Sequence, residues 1–400
     1  MPGPGRWLSC IMHLCDSLHL GRRNPRGWAG VSTNMPLLFE PVTFRDLTLR
    51  NRVWLAPMCQ YSVLAEDGVP TDWHLVHLGA RAQGGFGLLL TEATAVTAEG
   101  RISPQDTGIW NDEQRDAWRR ITDFVHDQEA AIGIQLAHAG RKASTYRGFA
   151  GEPTGSVPTE DGGWTAVGPS ASAFPGYADP QAMTTADIAA TVEAFATAAR
   201  RSDEAGFDVV EIHAAHGYLL HEFLSPLSNA RTDSYGGGFE GRTRLLLEVV
   251  DAVRAVWPAS KPLFVRLSAT DWADGGWTLE DSVRLSALLK YRGVDLVDTS
   301  TGGNVQADIP VGPGYQVQFA AGIRAGAGIP TGAVGLISSP SQAEDVLAAG
   351  EADAVLLARA ALREPSWPLR AAAELGVSWR DAPYPAPHAR GKWDDVLTPA

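Results

Sequence analysis

The chain has 400 residues, 44% of them hydrophobic and 20% charged, with a formal net charge of −13. This is the composition of a soluble chain with enough apolar residues for a large core. So acidic a protein repels phosphate backbones, which argues against a general nucleic-acid role. Three cysteines, Cys10, Cys15 and Cys59, are too sparse for a disulfide scaffold and fit a reducing, cytoplasmic setting. No apolar run approaches the length of a transmembrane helix.

Residues 1–34 carry Arg6, Arg22, Arg23 and Arg26 against Asp16 alone, a net +3 that leaves −16 for the remainder. The apolar stretch from Cys10 to Leu14 is too short for a secretory signal. The segment reads as a disordered extension, or as sequence upstream of a start at Met35. Its Arg-rich, acid-poor composition keeps organellar targeting as the alternative. Cys10 and Cys15 have His13 and His19 nearby but lack a zinc framework, so no metal site is expected there.

The first strand expected is Val53 to Ala56. Gly85-Phe86-Gly87 then leads into the apolar run Leu88-Leu89-Leu90. A helix over Glu113 to Gln128, with Asp112 as N-cap, precedes a strand over Ala131 to Leu136. A helix over Thr185 to Ala205 ends at Gly206, where Phe207 to Ile212 begins the next apolar run. Helix Arg242 to Val256 is followed by strand Leu263 to Leu267. Helix Leu279 to Tyr291, capped by Thr278, is followed by Gly293 and strand Val294 to Val297. Strand Ile329 to Val334, helix Ser341 to Ala349 and strand Ala354 to Leu357 complete the series. These runs lack polar alternation, as strands buried on both faces do. Glycine repeatedly closes the helix before a run because it enters the left-handed region at little cost.

Eight such strands with intervening helices predict an α/β fold, a (β/α)₈ TIM barrel over residues 35–376, followed by a tail over 377–400. A doubly wound open sheet is the alternative, but no G-x-G-x-x-G follows the first strand. Two stretches break the rhythm. His138 to Met183, after the third strand, is long and rich in Gly, Pro and Ser, the pattern of a capping loop. Thr299 to Phe319 is a second glycine-rich stretch, after the sixth strand.

Chemistry in such a barrel sits at the C-terminal ends of its strands. His213-Ala-Ala-His216-Gly-Tyr218 emerges there. The His213 and His216 spacing admits a metal, a structural role, or binding of a carbonyl or cofactor, although no H-E-x-x-H is present. Tyr218 has the chemistry of a proton donor. Cys59, just past the first strand, is either buried filler or functional. Gly335 and the Ala358-Arg359 pair close the seventh and eighth strands, where barrels commonly hold phosphate. Arg266 ends strand five and requires an anionic or electron-rich partner. Gln135 ends strand three, where it could meet a heterocycle edge. A phosphate site, an electron-rich ring and a His-His-Tyr cluster together fit flavin mononucleotide (FMN).

These residues lie in longer runs. Ala56-Pro-Met-Cys-Gln-Tyr61, Glu92-Ala-Thr-Ala95, Gly133-Ile-Gln-Leu-Ala-His-Ala-Gly-Arg-Lys142, Glu211-Ile-His-Ala-Ala-His-Gly-Tyr218, Leu224-Ser-Pro-Leu-Ser-Asn229, Arg231-Thr-Asp-Ser-Tyr-Gly-Gly237, Val265-Arg-Leu-Ser268 and Gly332-Ala-Val-Gly335 stand in order along the chain. Over roughly Met35 to Gly376 the chain resembles the Old Yellow Enzyme family of FMN-dependent ene-reductases, within it the class with a cysteine beside the flavin. The resemblance implies that Pro57, Met58 and Cys59 line the flavin, with Cys59 tuning its potential. It implies that Ala93, Gln135 and Arg266 contact the ring, and that Gly335, Ala358 and Arg359 hold the phosphate. His213 and His216 would bind the carbonyl oxygen of an α,β-unsaturated substrate, Tyr218 would protonate its α-carbon, and Tyr61 would line the pocket. NADPH or NADH would be the reductant.

The resemblance further implies a homo-oligomer in which a C-terminal arginine reaches a neighbouring site, with Arg390 the candidate. Ala358 departs from the family's usual glycine. A dienoyl-CoA reductase is excluded, because its iron–sulfur cluster needs four cysteines that this chain lacks. A tRNA-modifying flavin barrel is disfavoured by the charge. A flavin-binding redox sensor or scaffold without alkene turnover is the reading from another class.

Overall fold

The computed structural model describes residues 35–393. The expected extension over 1–34 lies outside the described residues, as do residues 394–400 of the expected tail.

The described residues form twelve strands: β1 (Val42–Phe44), β2 (Leu47–Leu49), β3 (Val53–Leu55), β4 (Leu88–Ala95), β5 (Ala131–Ala137), β6 (Val167–Gly168), β7 (Gln181–Ala182), β8 (Val209–Ala214), β9 (Leu263–Ser268), β10 (Leu296–Ser300), β11 (Thr331–Ala333) and β12 (Ala354–Leu357). Eight of them close a parallel barrel in the order β3-β4-β5-β8-β9-β10-β11-β12, with β12 paired back on β3. The same residues form α-helices α1 (Asp72–Gln83), α2 (Asp112–Asp127), α3 (Thr185–Glu204), α4 (Leu219–Leu224), α5 (Phe239–Val256), α6 (Leu279–Tyr291), α7 (Val317–Ala327), α8 (Pro340–Ala348), α9 (Arg359–Arg363) and α10 (Trp367–Glu374). The fold is the expected (β/α)₈ barrel, and every barrel strand lies within one of the anticipated apolar runs or extends it.

Side chains alternate across a strand, so every second residue faces the barrel interior. At the N-terminal ends that inward row is apolar: Trp54, Leu88, Val209, Phe264 and Leu296 pack in one cluster. The antiparallel β1–β2 hairpin plugs this end. Its Phe44 meets Trp54 and Phe264 edge-on at 6.1 and 5.3 Å between ring centroids, and those two rings stack on each other at 5.9 Å. Two residues further along β8, β9 and β10 the same row turns polar. Glu211 follows Val209, Arg266 follows Phe264, and Asp298 follows Leu296. In register, Gln135 pairs with Glu211, His213 with Arg266, and Arg266 with Asp298. The chemistry therefore collects at one end of a packed core.

Local expectations need two corrections. Asp112 is not the cap of α2: Asn111 accepts from the Gln114 N–H, and Gln114 reaches back to the Asn111 N–H. An Asn side chain at Asn111 completes that reciprocal box, so Asp112 becomes the first helical residue and sits favourably at the positive end of the helix dipole. α5 begins at Phe239 rather than Arg242. Thr278 caps α6 as expected.

Candidate active site

His213 lies in β8, and His216 and Tyr218 lie in the turn between β8 and α4. The His213 ring meets both others edge-on, His216 at 5.1 Å and Tyr218 at 5.2 Å between centroids. The turn is tight: His216 and Gly217 have φ of 61° and 71°. A non-glycine residue held at positive φ is a feature that clusters at functional sites. Burial, with the nearby Arg266 charge, pushes both imidazoles well below the usual histidine range, so both are neutral at pH 7. Burial, then Cys59, pushes the Tyr218 phenol well up, so it keeps its proton.

Beneath this trio lies a buried polar floor. Gln135 Nε2 donates to Glu211 Oε1 at 2.8 Å. Arg266 Nε faces Asp298 Oδ2 at 2.9 Å, with both side chains buried. The partner that Arg266 requires is thus supplied, in part, by the protein itself. Burial, then the neighbouring Asp298, pushes the Glu211 carboxyl up to about 8. Buried atoms here that lack a hydrogen-bond partner include His213 Nδ1, Glu211 Oε2 and Asp298 Oδ1. His216 Nε2 pairs with Ser300 Oγ at 2.7 Å, and Gln316 Oε1 accepts from Thr301 at 2.7 Å.

Pro57, Met58, Cys59 and Tyr61 follow β3 without regular structure and are half-buried. Their segment is fastened from below: the Gln60 N–H donates to Glu92 Oε2 at 2.8 Å, and Glu92 Oε1 faces His74 Nε2 at 2.9 Å. Ala93 enters the rim because β4 shifts register between Leu90 and Ala93, which brings it opposite Gln135. Burial raises the Cys59 thiol well above the ordinary range, so it is a thiol rather than a thiolate. The long segment after β5 folds over this rim. Its Trp164 packs with Cys59, Tyr61 and Tyr218 around Ala93, Ile102 and Ala137. A cavity of about 430 Å³ opens alongside, lined by Tyr61, Leu64, Trp73 and Phe149 among others.

On the opposite rim, Gly335 follows β11 with φ of 129°, a conformation essentially reserved for glycine. Ala358 follows the adjacent β12. Its φ of −103° is negative, and its methyl packs against the barrel core. The alanine methyl is thus accommodated by packing on the core. Arg359 is exposed and forms no ion pair among the described residues.

The structure brings every sequence-derived site residue to the C-terminal mouth except Arg390. That residue sits exposed on a short 3₁₀ helix, without a hydrogen bond to the mouth. Asp298, Ser300, Gln316 and Lys142 belong to the mouth and were not anticipated. Two had a signal: Asp298 and Ser300 share the inward alternation of Leu296, polar residues in an otherwise apolar run.

A barrel whose mouth joins a neutral imidazole pair and a phenol to a buried Gln-Arg floor, with a glycine turn and an unpaired arginine at the last two strands, has the makings of a flavin-dependent oxidoreductase. The model of the NADH:flavin oxidoreductase / NADH oxidase family matches residues 37–377, and the chain belongs to this family, that of Old Yellow Enzyme. It is 53% identical over 342 residues to an NADPH dehydrogenase of Geobacillus thermodenitrificans (strain NG80-2), covering 85% of this chain and 95% of that one. Against an NADPH dehydrogenase of Bacillus subtilis (strain 168) it is 47% identical over 355 residues, 88% and 98% of the two chains. Among solved structures, morphinone reductase aligns with a TM-score of 0.70 at 29% identity, over 87% of this chain and 92% of that one. The Old Yellow Enzyme homologue from Zymomonas mobilis aligns with a TM-score of 0.71 at 29% identity, over 88% and 99%. The protein is an NAD(P)H-dependent flavin oxidoreductase whose cofactor is FMN.

The residues present fit that cofactor. Unpartnered polar atoms lie buried in the mouth, beside side chains able to meet the polar edge of a flavin. The phosphate carries negative charge, and the glycine turn at Gly335 and the Arg359 guanidinium suit it. Among the described residues no group of three or more His, Cys, Asp or Glu side chains is placed to hold a metal ion. No described helix is long and apolar enough to cross a membrane.

Proposed function

We propose that the protein reduces the C=C bond of α,β-unsaturated carbonyl compounds, such as enones and enals. FMN, reduced by NADPH or NADH, supplies the hydride that the β-carbon accepts. His213 and His216 donate hydrogen bonds to the carbonyl oxygen, His216 exchanging its Ser300 partner for it. As neutral imidazoles they polarise the carbonyl without placing a full charge in a buried site. Tyr218 holds the proton for the α-carbon and delivers it as the enolate collapses. Pro57, Met58, Cys59, Ala93, Gln135 and Arg266 surround the ring, Cys59 tuning its potential, and Gly335, Ala358 and Arg359 hold the phosphate. Tyr61 lines the substrate pocket, and Arg390 serves the neighbouring site of a cytoplasmic homo-oligomer. Residues 35–376 form the catalytic unit, 377–400 the tail that makes this contact, and 1–34 are dispensable.

The observation that carries this reading is the convergence of His213 on both His216 and Tyr218 at ring contact, above a buried polar floor. The test is a visible spectrum under anaerobic conditions, with NADPH and then 2-cyclohexenone added. Bleaching followed by recolouring on enone supports both half-reactions. Bleaching that persists removes ene-reduction of simple enones and favours a flavin-binding redox sensor or scaffold.

A further inference from the structure

The turn at His216 and Gly217 is strained, and its backbone is tied down by side chains from three directions. The His216 N–H donates to Ser268 Oγ at 2.9 Å, and Lys142 Nζ donates to the His216 carbonyl at 2.9 Å. The third tie comes from within the same segment. The buried Gly217 N–H donates to Nδ1 of His221, on α4, at 2.9 Å. A backbone N–H can only donate, so Nδ1 of His221 carries no proton and the ring proton stands on Nε2.

Nε2 faces Asp271 Oδ1 at 3.1 Å, and both side chains are fully buried. The other Asp271 oxygen accepts from Ser225 Oγ at 2.5 Å and from the Trp277 N–H at 2.8 Å. Burial by itself would raise this carboxyl. The His221 imidazole, the Ser225 hydroxyl and the Trp277 N–H reverse the effect and hold it below the ordinary range. Asp271 is thus a fixed carboxylate that selects the Nε2–H tautomer of His221. The opposite tautomer would set an Nδ1–H against the Gly217 N–H.

We propose that His221, its tautomer fixed by Asp271, is the positioning residue that holds the His216–Tyr218 turn in its reactive shape, a role that rests on the carbonyl reduction proposed above. His221 is fully buried behind the turn. Its lone pair accepts the one N–H that the positive-φ turn leaves pointing into the core. Without that acceptor a buried N–H is unpaired, and the turn relaxes at the cost of the placement of His216 and Tyr218.

The experiment uses FMN-loaded enzyme carrying His221→Asn, His221→Gln or His216→Ala. Asn sets an oxygen near the place of Nδ1, whereas Gln sets its amide near Nε2 and leaves Gly217 without an acceptor. The readouts are the phenol Kd from the charge-transfer band and the anaerobic rate of reoxidation by 2-cyclohexenone, at equal FMN content. His221→Gln is expected to weaken phenol binding and slow reoxidation about tenfold, while His221→Asn recovers most of both. Equal losses in the two variants, or no loss in either, overturn the role.

An unchanged phenol Kd in His216→Ala instead overturns the carbonyl-site reading and the catalytic consequence drawn from it. The link itself is then decided on the wild-type protein, as it is if a variant fails to fold. A ¹⁵N spectrum of labelled histidine should show an unprotonated Nδ1 at His221 at pH 7, and a protonated Nδ1 overturns the link.

Discussion

Gly217 and Gly303 approach so closely that a Cβ on Gly217 would lie 2.3 Å from the Gly303 carbonyl oxygen. Lys142 donates to that same carbonyl as well as to the carbonyl of His216, so the turn after β8 and the loop after β10 are stapled together. The site therefore depends on a backbone contact that only glycine permits. Gly217→Ala adds a clash with backbone to a φ of 71° and should cost about 3 kcal/mol or more. It should also lower turnover, because His216 and Tyr218 flank it. Urea unfolding and the rate of enone reduction measure the two effects; a variant with wild-type stability and rate would show that the close approach is not required.

Tyr218 holds its proton well above neutral pH because it is buried beside Cys59. Its proposed duty belongs only to the half-reaction that saturates the alkene. Tyr218→Phe should therefore slow reoxidation by 2-cyclohexenone on the order of 10²-fold, and leave bleaching by NADPH within a few-fold of wild type. Stopped-flow traces of the two half-reactions separate these outcomes. Equal slowing of both would reject the donor role.

The barrel was legible because each strand is an apolar run buried on both faces, and glycine closes the helix before it at Gly206 and Gly293. The His213, His216 and Tyr218 cluster was legible because strand exits are where a barrel does its chemistry. What escaped the sequence was whatever depends on two distant segments. The β1–β2 hairpin has strands of three residues and no Asn-Gly or Asp-Gly turn, and only its docking on Trp54 and Phe264 makes it necessary. The partnership of Arg266 with Asp298 joins neighbouring strands whose register is set by the closed barrel. His221 reads in sequence as one more apolar-face residue of a helix, and only its contacts with Gly217 and Asp271 distinguish it. Gly236, Gly237 and Gly238 hide the first turn of α5 from a reading of helical periodicity.

Arg266 and Asp298 share a buried ion pair, and burial raises the Asp298 carboxyl while Arg266 pulls it down. Removing the cation leaves the acid two routes, an uncompensated charge or a proton taken from solvent. Arg266→Met should therefore destabilise the protein by about 3 kcal/mol at pH 8, and by less at pH 5, where Asp298 is neutralised more easily. It should also lose FMN on gel filtration. Denaturant melts at the two pH values check the first part, and an equal loss at both would show that Asp298 does not titrate in the variant.

Glu222 is fully buried on α4, where its Oε1 accepts the Arg141 N–H at 2.8 Å and its Oε2 has no hydrogen-bond partner. Burial pushes its carboxyl up to about 8; Arg141 and Lys142 offset this only in part. An unfolded chain releases the same proton near 4.5, the ordinary value for glutamate. Between those two values the native state binds more protons than the unfolded state, so this group's contribution to stability falls as pH rises. The contribution is complete below about 4.5 and is lost as pH passes about 8. Glu222→Gln removes the titration while keeping the shape and an acceptor for the Arg141 N–H. The variant should consequently gain on the wild type from pH 5 until the gain levels off past pH 8, by about 4 kcal/mol between pH 5 and pH 9. Denaturant melts of both proteins at several pH values give the difference directly. A difference that stays constant with pH would mean that Glu222 is already ionised in the folded protein, and that the Arg141 and Lys142 cations outweigh its burial.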